Sequence, residues 1–492
     1  MRMSNAISLV LGCVLSAGLS SITSTAIGDP VYAPLVAGNT QFALDMYHQL
    51  AAGANGNIFF SPYSISSCVG MVYDGAAGDT AQQMAAALSF STNQTDVGPQ
   101  FAALDAELSA QQGQNGISLS TANGLWAQQN FPFLPSFIDN AIGNFDANVQ
   151  QVDFADYAPL ITWQINQWVS TQTQGMISNL FAPGVLNQNT VMALVNAIYF
   201  KGAWLTPFDT NLTFPEPFYV SATRTVTVPT MSQSSFTGPL YKDALLQAVA
   251  LPYGNSNLVM IVLLPNDMNG LSQMESALTS QRLATVINGL HPSYGIPLTL
   301  PKFSLAMTAN LIPPLKNLGM VDAFDPYAAN FSGMDGRRDL CIQVVTHKAV
   351  VEVDEAGTTA AGATGIGVIP TVILGYFAAD HPFVFLIYDT TSGSILFMGR
   401  VVDPTSSGPS PAAVAGPHPR IQTSDGNFGL RGNQFGFTIA GTNSSVVVEV
   451  CTNASGGSWS PVQTVIPNNG SAYFSEPVDP TAPLRFYRVR AP

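Results

Sequence analysis

The chain has 492 residues, enough for more than one domain. Hydrophobic residues make up 47% and charged residues only 9%, against about 25% charged in an average chain, so a large core can be buried while the surface rests on Ser, Thr, Asn and Gln. A net charge of −14 without any Lys/Arg cluster excludes nucleic acid as a partner, and nothing after the N-terminus reaches the ~20 apolar residues of a membrane-spanning helix.

Taken in chain order, residues 1–26 read as an export signal: Arg2, an apolar run over 6–19, then the small residues Ser24-Thr25-Ala26. A secreted, extracellular protein is expected. Cys68, Cys341 and Cys451 then remain, far apart and in apolar contexts, so buried free thiols are expected rather than a bridge. Residues 27–404 mix both periodicities. Stretches 41–51 and 64–74 have helical spacing, and a third helix is expected to run to Leu88 with Asp79 or Thr80 as its cap. Stretches 191–200 and 258–264 are near-continuous apolar runs of buried-strand type, and 349–353 is a further strand. Helices interspersed with such strands predict an α+β domain with large sheets. Residues 405–419 (TSSGPSPAAVAGPHP) are an uncharged Pro/Ser/Gly linker. In residues 420–492, short alternating runs around Phe435, Val446, Val462, Tyr473 and Phe486 predict a small all-β sandwich. Its composition is similar to that of small C-terminal β-domains of exported bacterial proteins, with surface attachment as one expected role. Six Asn-x-Ser/Thr acceptor sites lie between Asn93 and Asn469.

No catalytic constellation emerges. There is no G-x-S-x-G elbow, no H-E-x-x-H, and no Cys/His spacing that would hold a metal. Of the five histidines only His347 lies in a core-like strand segment. An enzyme, a metal and a cofactor are not expected.

The informative stretch is 354–376, DEAGTTAAGATGIGVIPTVILGY, which is uncharged after Glu355. Surface loops usually prefer polar turn formers. This one is built of Gly, Ala, Thr, Val and Ile. Thr358, Ala360, Gly362, Thr364, Ile366 and Val368 would share one strand face, with the smallest side chains first. Such a segment suits an exposed loop and equally the middle of a sheet.

The stretch His347-Lys348-Ala349-Val350-Val351-Glu352-Val353-Asp354-Glu355-Ala356-Gly357-Thr358-Thr359-Ala360-Ala361-Gly362-Ala363 closely resembles the hinge of inhibitory serpins. His381-Pro382-Phe383-Val384 and Phe397-Met398-Gly399-Arg400 resemble that family's closing strands. Asn57 to Ile65, Leu194 to Trp204 and Leu300-Pro301-Lys302-Phe303 resemble earlier family segments. The similarity runs over 35–404 in family order.

The resemblance implies a serpin fold, with helices on three sheets and an exposed reactive loop, followed by the small β-domain. It implies a suicide-type protease inhibitor, not an enzyme, that is cut at Thr371-Val372, sixteen positions after Glu355. The acylated loop would enter the main sheet and carry the protease with it. The hinge would comprise Glu355, Gly357, Thr358, Ala360, Ala361, Gly362 and Ala363. Ser61, Asn196 and His347 would form a polar cluster beneath the opening sheet. Lys302, Glu355 and Trp204 would close its top. The apolar flanks of the bond suit an elastase-like or subtilisin-like serine protease, with a papain-like cysteine protease as second target class, bound covalently by a monomer. Two departures stand out: Ala356 replaces a charged residue, and Gly365 and Gly367 predict slower insertion. The alternative within the family is a non-inhibitory binding or storage protein.

Overall fold

A computed structural model describes residues 29–52, 54–110, 117–254, 256–358 and 376–406, and within the tail 420–422, 429–431, 434–440, 446–452, 459–465, 471–477 and 485–490. The proposed export signal, most of the linker, and residues 359–375 with Thr371-Val372 and hinge residues Ala360, Ala361, Gly362 and Ala363 lie outside the described residues.

Six helices lead the chain: α1 (Ala33–Ala52), α2 (Pro62–Tyr73), α3 (Gly78–Ala87), α4 (Gln94–Ser109), α5 (Pro135–Phe145) and α6 (Phe154–Gln172). Ser61 caps α2, accepting the Ser64 N–H, and Pro62 starts the helix where its missing N–H costs nothing. The expected cap of α3 is corrected: Ala77 holds that position without a side-chain bond, and Thr80 instead accepts the Asn330 N–H at 3.0 Å. Pro99 and Pro159 interrupt the periodicity of α4 and α6, and α6 is kinked at Tyr157.

The strands are β1 (Ile58–Phe60), β2 (Ser118–Gln128), β3 (Asn148–Val152), β4 (Met192–Ala203), β5 (Phe214–Ser221), β6 (Arg224–Lys242), β7 (Leu246–Pro252) and β8 (Leu258–Pro265). They continue with β9 (His291–Pro301), β10 (Phe303–Asn310), β11 (Val344–Val353), β12 (Gly357–Thr358), β13 (Phe377–Ala378), β14 (Phe383–Asp389) and β15 (Ile395–Val401). The first sheet has the order β10-β11-β4-β2-β3, with β12 added against β4. The second runs β1-β15-β14-β8-β7-β6-β9-β13, with β5 on β6. They meet through aromatic contacts such as Phe200 with Phe397, ring centroids 6.0 Å apart.

β4 is apolar nearly throughout because both its faces are covered. Met192, Leu194, Ile198 and Phe200 enter the main core, while Ala193, Val195 and Ala197 lie in a second cluster with α6 and with Ile177, Leu180 and Phe181. The tail forms a four-stranded and a three-stranded sheet. Phe437, Ile439, Val446, Val448, Val465 and Phe474 make its own core, so it is a small sandwich. Cys68, Cys341 and Cys451 are buried and free, and burial pushes the Cys68 thiol up to about 12. Among the described residues no helix is long and apolar enough to cross a membrane.

Candidate functional site: a seam and a hairpin in the first sheet

The site lies along the seam where β4 and β11 run parallel. They pair from Ala193 with Val344 to Tyr199 with Val350. At mid-seam His347 stands opposite Asn196, and on the next strand Asn123 stands opposite Asn196 again. Three adjacent strands thus carry a polar rung within an otherwise apolar layer. All of it is buried: His347 and Ser61 are 0% exposed and Asn196 1%.

The rung is fully bonded, and the backbone decides its proton positions. The Ser61 N–H donates to His347 Nε2 at 3.1 Å, so that nitrogen carries the lone pair and Nδ1 the proton. Nδ1–H then donates to Asn196 Oδ1 at 2.5 Å. Asn196 Nδ2 donates to Asn123 Oδ1 and Ser64 Oγ, each at 2.6 Å, and Asn123 Nδ2 donates to Ser67 Oγ at 3.2 Å. Ser61 Oγ donates to the Leu396 carbonyl at 2.6 Å, tying the cap of α2 to β15. Burial pulls the His347 imidazolium down to about 3, so the ring is neutral. Asn123, Ser64 and Ser67 are members that sequence reasoning missed; Asn123 is distinguished only by standing opposite Asn196, which strand pairing alone reveals.

At the top of the seam β11 turns back on itself. Asp354 N–H donates to the Gly357 carbonyl at 2.9 Å, and Gly357 N–H returns a bond to the Asp354 carbonyl at 3.2 Å. The second arm of this hairpin, β12, pairs antiparallel with β4: Gly357 with Ala203, Thr358 with Gly202. Gly357 has φ +140°, and a Cβ there would lie 2.3 Å from the Gly202 carbonyl oxygen, so only glycine fits. Thr358 is 0% exposed.

Glu355, at the turn, is bonded by Lys302 Nζ at 2.6 Å and Thr213 Oγ1 at 2.8 Å. Desolvation raises its pKa, but the bonds from Lys302, Thr213 and backbone outweigh that and hold the carboxyl below its usual range. With Lys302 37% exposed, the pair contributes only about 0–1 kcal/mol. Trp204 donates its indole N–H to the Asp354 carbonyl at 2.9 Å and its backbone N–H to the Ala356 carbonyl at 3.0 Å. Lys302, Glu355 and Trp204 thus meet in one place, as do Ser61, Asn196 and His347. Among the described residues no group of three or more His, Cys, Asp or Glu is placed to hold a metal.

Comparison with known proteins gives a match to the family model described as Serpin (serine protease inhibitor) over residues 37–404. Human leukocyte elastase inhibitor is 38% identical over 382 residues, covering 75% of this chain and 99% of the relative. Serpin B10 of Otolemur garnettii is 37% identical over 398 residues, covering 75% and 100%. Among solved structures, uncleaved ovalbumin superposes with a TM-score of 0.69 at 31% identity, covering 75% of this chain and 99% of that one. These relatives correct the expected localisation. Serpin B10 and leukocyte elastase inhibitor are intracellular clade B serpins, so the secreted assignment, with or without surface attachment through the tail, is withdrawn. Nor is a signal peptide or a bacterial origin supported; an apolar run behind a single Arg is only a compositional signal.

Proposed function

The chain belongs to the serpin family, and from that premise we propose that it inhibits its target as a suicide substrate whose loop enters the first sheet between β4 and β11. Serpins such as leukocyte elastase inhibitor are protease inhibitors rather than enzymes. The observation that carries the finer reading is the hairpin: Gly357 and Thr358 already stand in the place an inserted strand would take.

The register supports it further. Pairing continued from Thr358 opposite Gly202 would bring Thr364 opposite Asn196 on β4. Continued from the Asp354–Gly357 bridge, it would bring the same Thr364 opposite His347 on β11. The entering strand would therefore put a hydroxyl into the polar rung at the point where the His347–Asn196 bond must break, and buried polar groups would remain partnered. Ala360 and Gly362 would face the main core opposite Phe200 and Ile198. Gly365 and Gly367 would lie beneath α6 opposite Val195 and Ala193. Thr371 would pass beyond Met192, the start of β4, after a travel of about 50 Å at ~3.3 Å per residue. A protease dragged that far as an acyl-enzyme would lose its catalytic geometry, since errors near 1 Å already cost on the order of 100-fold in rate.

The target class follows from the apolar flanks of Thr371-Val372 and from relatives named elastase inhibitors: an elastase-like or subtilisin-like serine protease, with a papain-like cysteine protease second. The chain would act as a monomer and hold the protease covalently. The test is a denaturing gel after incubation with elastase and with subtilisin. A band of summed mass is expected, along with a released fragment beginning at Val372. Cleavage without such a band across several apolar-preferring proteases overturns the reading.

A further inference from the structure

The hairpin is held at its tip by a residue outside the ion pair. Tyr253 follows β7 and is 0% exposed. Its hydroxyl lies 3.0 Å from Thr358 Oγ1, an equally buried oxygen. The ring is fixed on both sides: it stacks on Trp204 with centroids 4.6 Å apart and planes 12° from parallel, and it meets the edge of Phe200 at 5.0 Å. Beneath it, Gly202 leaves room that a side chain would fill, since a Cβ there would lie 2.9 Å from Tyr253 Cδ1. The backbone around the ring is tied to β4 as well, Gly254 N–H donating to the Ala203 carbonyl at 2.8 Å.

We propose that Tyr253 is the positioning residue for the hinge, a rigid hydroxyl at the mouth of the seam that holds the first loop side chain to enter, Thr358. The inference rests on the reading that strand entry is the working step. It adds the group that holds the hairpin in register before cleavage. Both hydroxyls are sealed from water, so neither can exchange its partner for solvent, and separation leaves two buried polar groups unpaired. The partnership selects a small hydroxyl at position 358 and gives the resting protein one defined starting register. Trp204 and Phe200 keep the phenol aimed, and Trp204 also binds the turn through the Asp354 and Ala356 carbonyls. The tip and the turn of the hairpin are therefore held by one aromatic pair.

Hydrogen–deuterium exchange of the peptide covering 354–358, in the full-length uncleaved protein, tests this. Tyr253→Phe keeps the stack and removes the hydroxyl; it should speed exchange there about threefold to tenfold, the effect of one buried neutral hydrogen bond. Thr358→Val should do the same, the double variant no more than either, and Thr358→Ser should leave exchange unchanged. Exchange in β14 and β15 should not move, which separates positioning from general loosening. Unchanged exchange in Tyr253→Phe overturns the proposal, as does a double variant whose effects multiply. With elastase, Tyr253→Phe should raise the number of inhibitor molecules consumed per protease trapped. If exchange responds as expected but neither protein traps any protease, the hinge contact stands and the inhibitory reading falls.

Discussion

The pKa values of His347 and Asp105 are shifted in opposite senses. Burial pulls His347 down to about 3. Desolvation first and the Asp146 carboxylate second push Asp105 up to about 7, in a cavity of about 480 Å³ that also reaches Asn123 of the polar rung. Tyr63, at the start of α2, donates its hydroxyl hydrogen to Asp105. Between pH ~6.5 and about 3 the unfolded chain takes a proton at position 347 that the folded one refuses, so His347 makes stability fall on acidification. Between pH ~4 and about 7 the folded chain keeps a proton at Asp105 that the unfolded one has lost, so Asp105 makes stability fall as pH rises. Each slope is at most about 1.4 kcal/mol per pH unit, and they oppose each other. Urea unfolding between pH 4 and 7 should therefore give a flat profile for these two groups in the native sequence. Asp105→Asn should expose a decline toward acid. His347→Gln should expose a decline toward neutral pH and cost about 1–3 kcal/mol besides, because Asn196 and the Ser61 N–H lose a buried partner.

At the scale of elements, the seam between β4 and β11 is packed on each face and carries a polar middle rung, which continues across β4 to Asn123 on β2. Apolar packing alone would let neighbouring registers compete; one buried, directional rung does not. In the proposed inserted form this would give Thr364 a defined place. If the cleaved loop enters the seam, cleavage should raise the melting temperature of the native sequence. Thr364→Lys should not change that of the uncleaved protein but should largely abolish the rise, since a charge would have to enter the buried rung. Differential scanning calorimetry of both forms checks this, and a full rise in the variant would place the strand in another register. The same reasoning changes the meaning of Gly365 and Gly367. As isolated letters they predict slow insertion. If the loop enters in the proposed register they would stand opposite Val195 and Ala193, where having no side chain would suit a layer already filled by Ile177, Leu180 and Phe181.

At the scale of the molecule, each core is built from its own stretch of chain. The main clusters draw on residues up to Val401, and the tail's cluster only on Ile421 onward. A protein ending at Ser406 should therefore keep its melting temperature within a few degrees and its rate of protease trapping within about twofold. Asn57 fastens that end of the serpin portion, donating to the Asp403 and Ser406 carbonyls at 2.8 Å each. A large loss in the shortened protein, by calorimetry or trapping assay, would assign the tail a part in inhibition.

How much was legible depended on the kind of contact. Long apolar runs at 191–200 and 258–264 announced buried strands because burial on two faces demands them. That Ser61, Asn196 and His347 meet, and that Lys302, Glu355 and Trp204 meet, was legible through family resemblance. Asn123, Ser64, Ser67, Thr213 and Tyr253 were not, because a polar residue in a strand or cap looks like any other until its partner across the sheet is known. The cap of α3 was misread for the same reason: Thr80 bonds Asn330, which lies 250 positions away. The sequence by itself determined which segments are apolar enough to pack and which loop is plain enough to become a strand, since those are local properties of composition and period. Only the tertiary structure decided which polar groups meet, which tautomer His347 holds and in which register the hairpin starts, because each is set by groups distant in the chain and close in space.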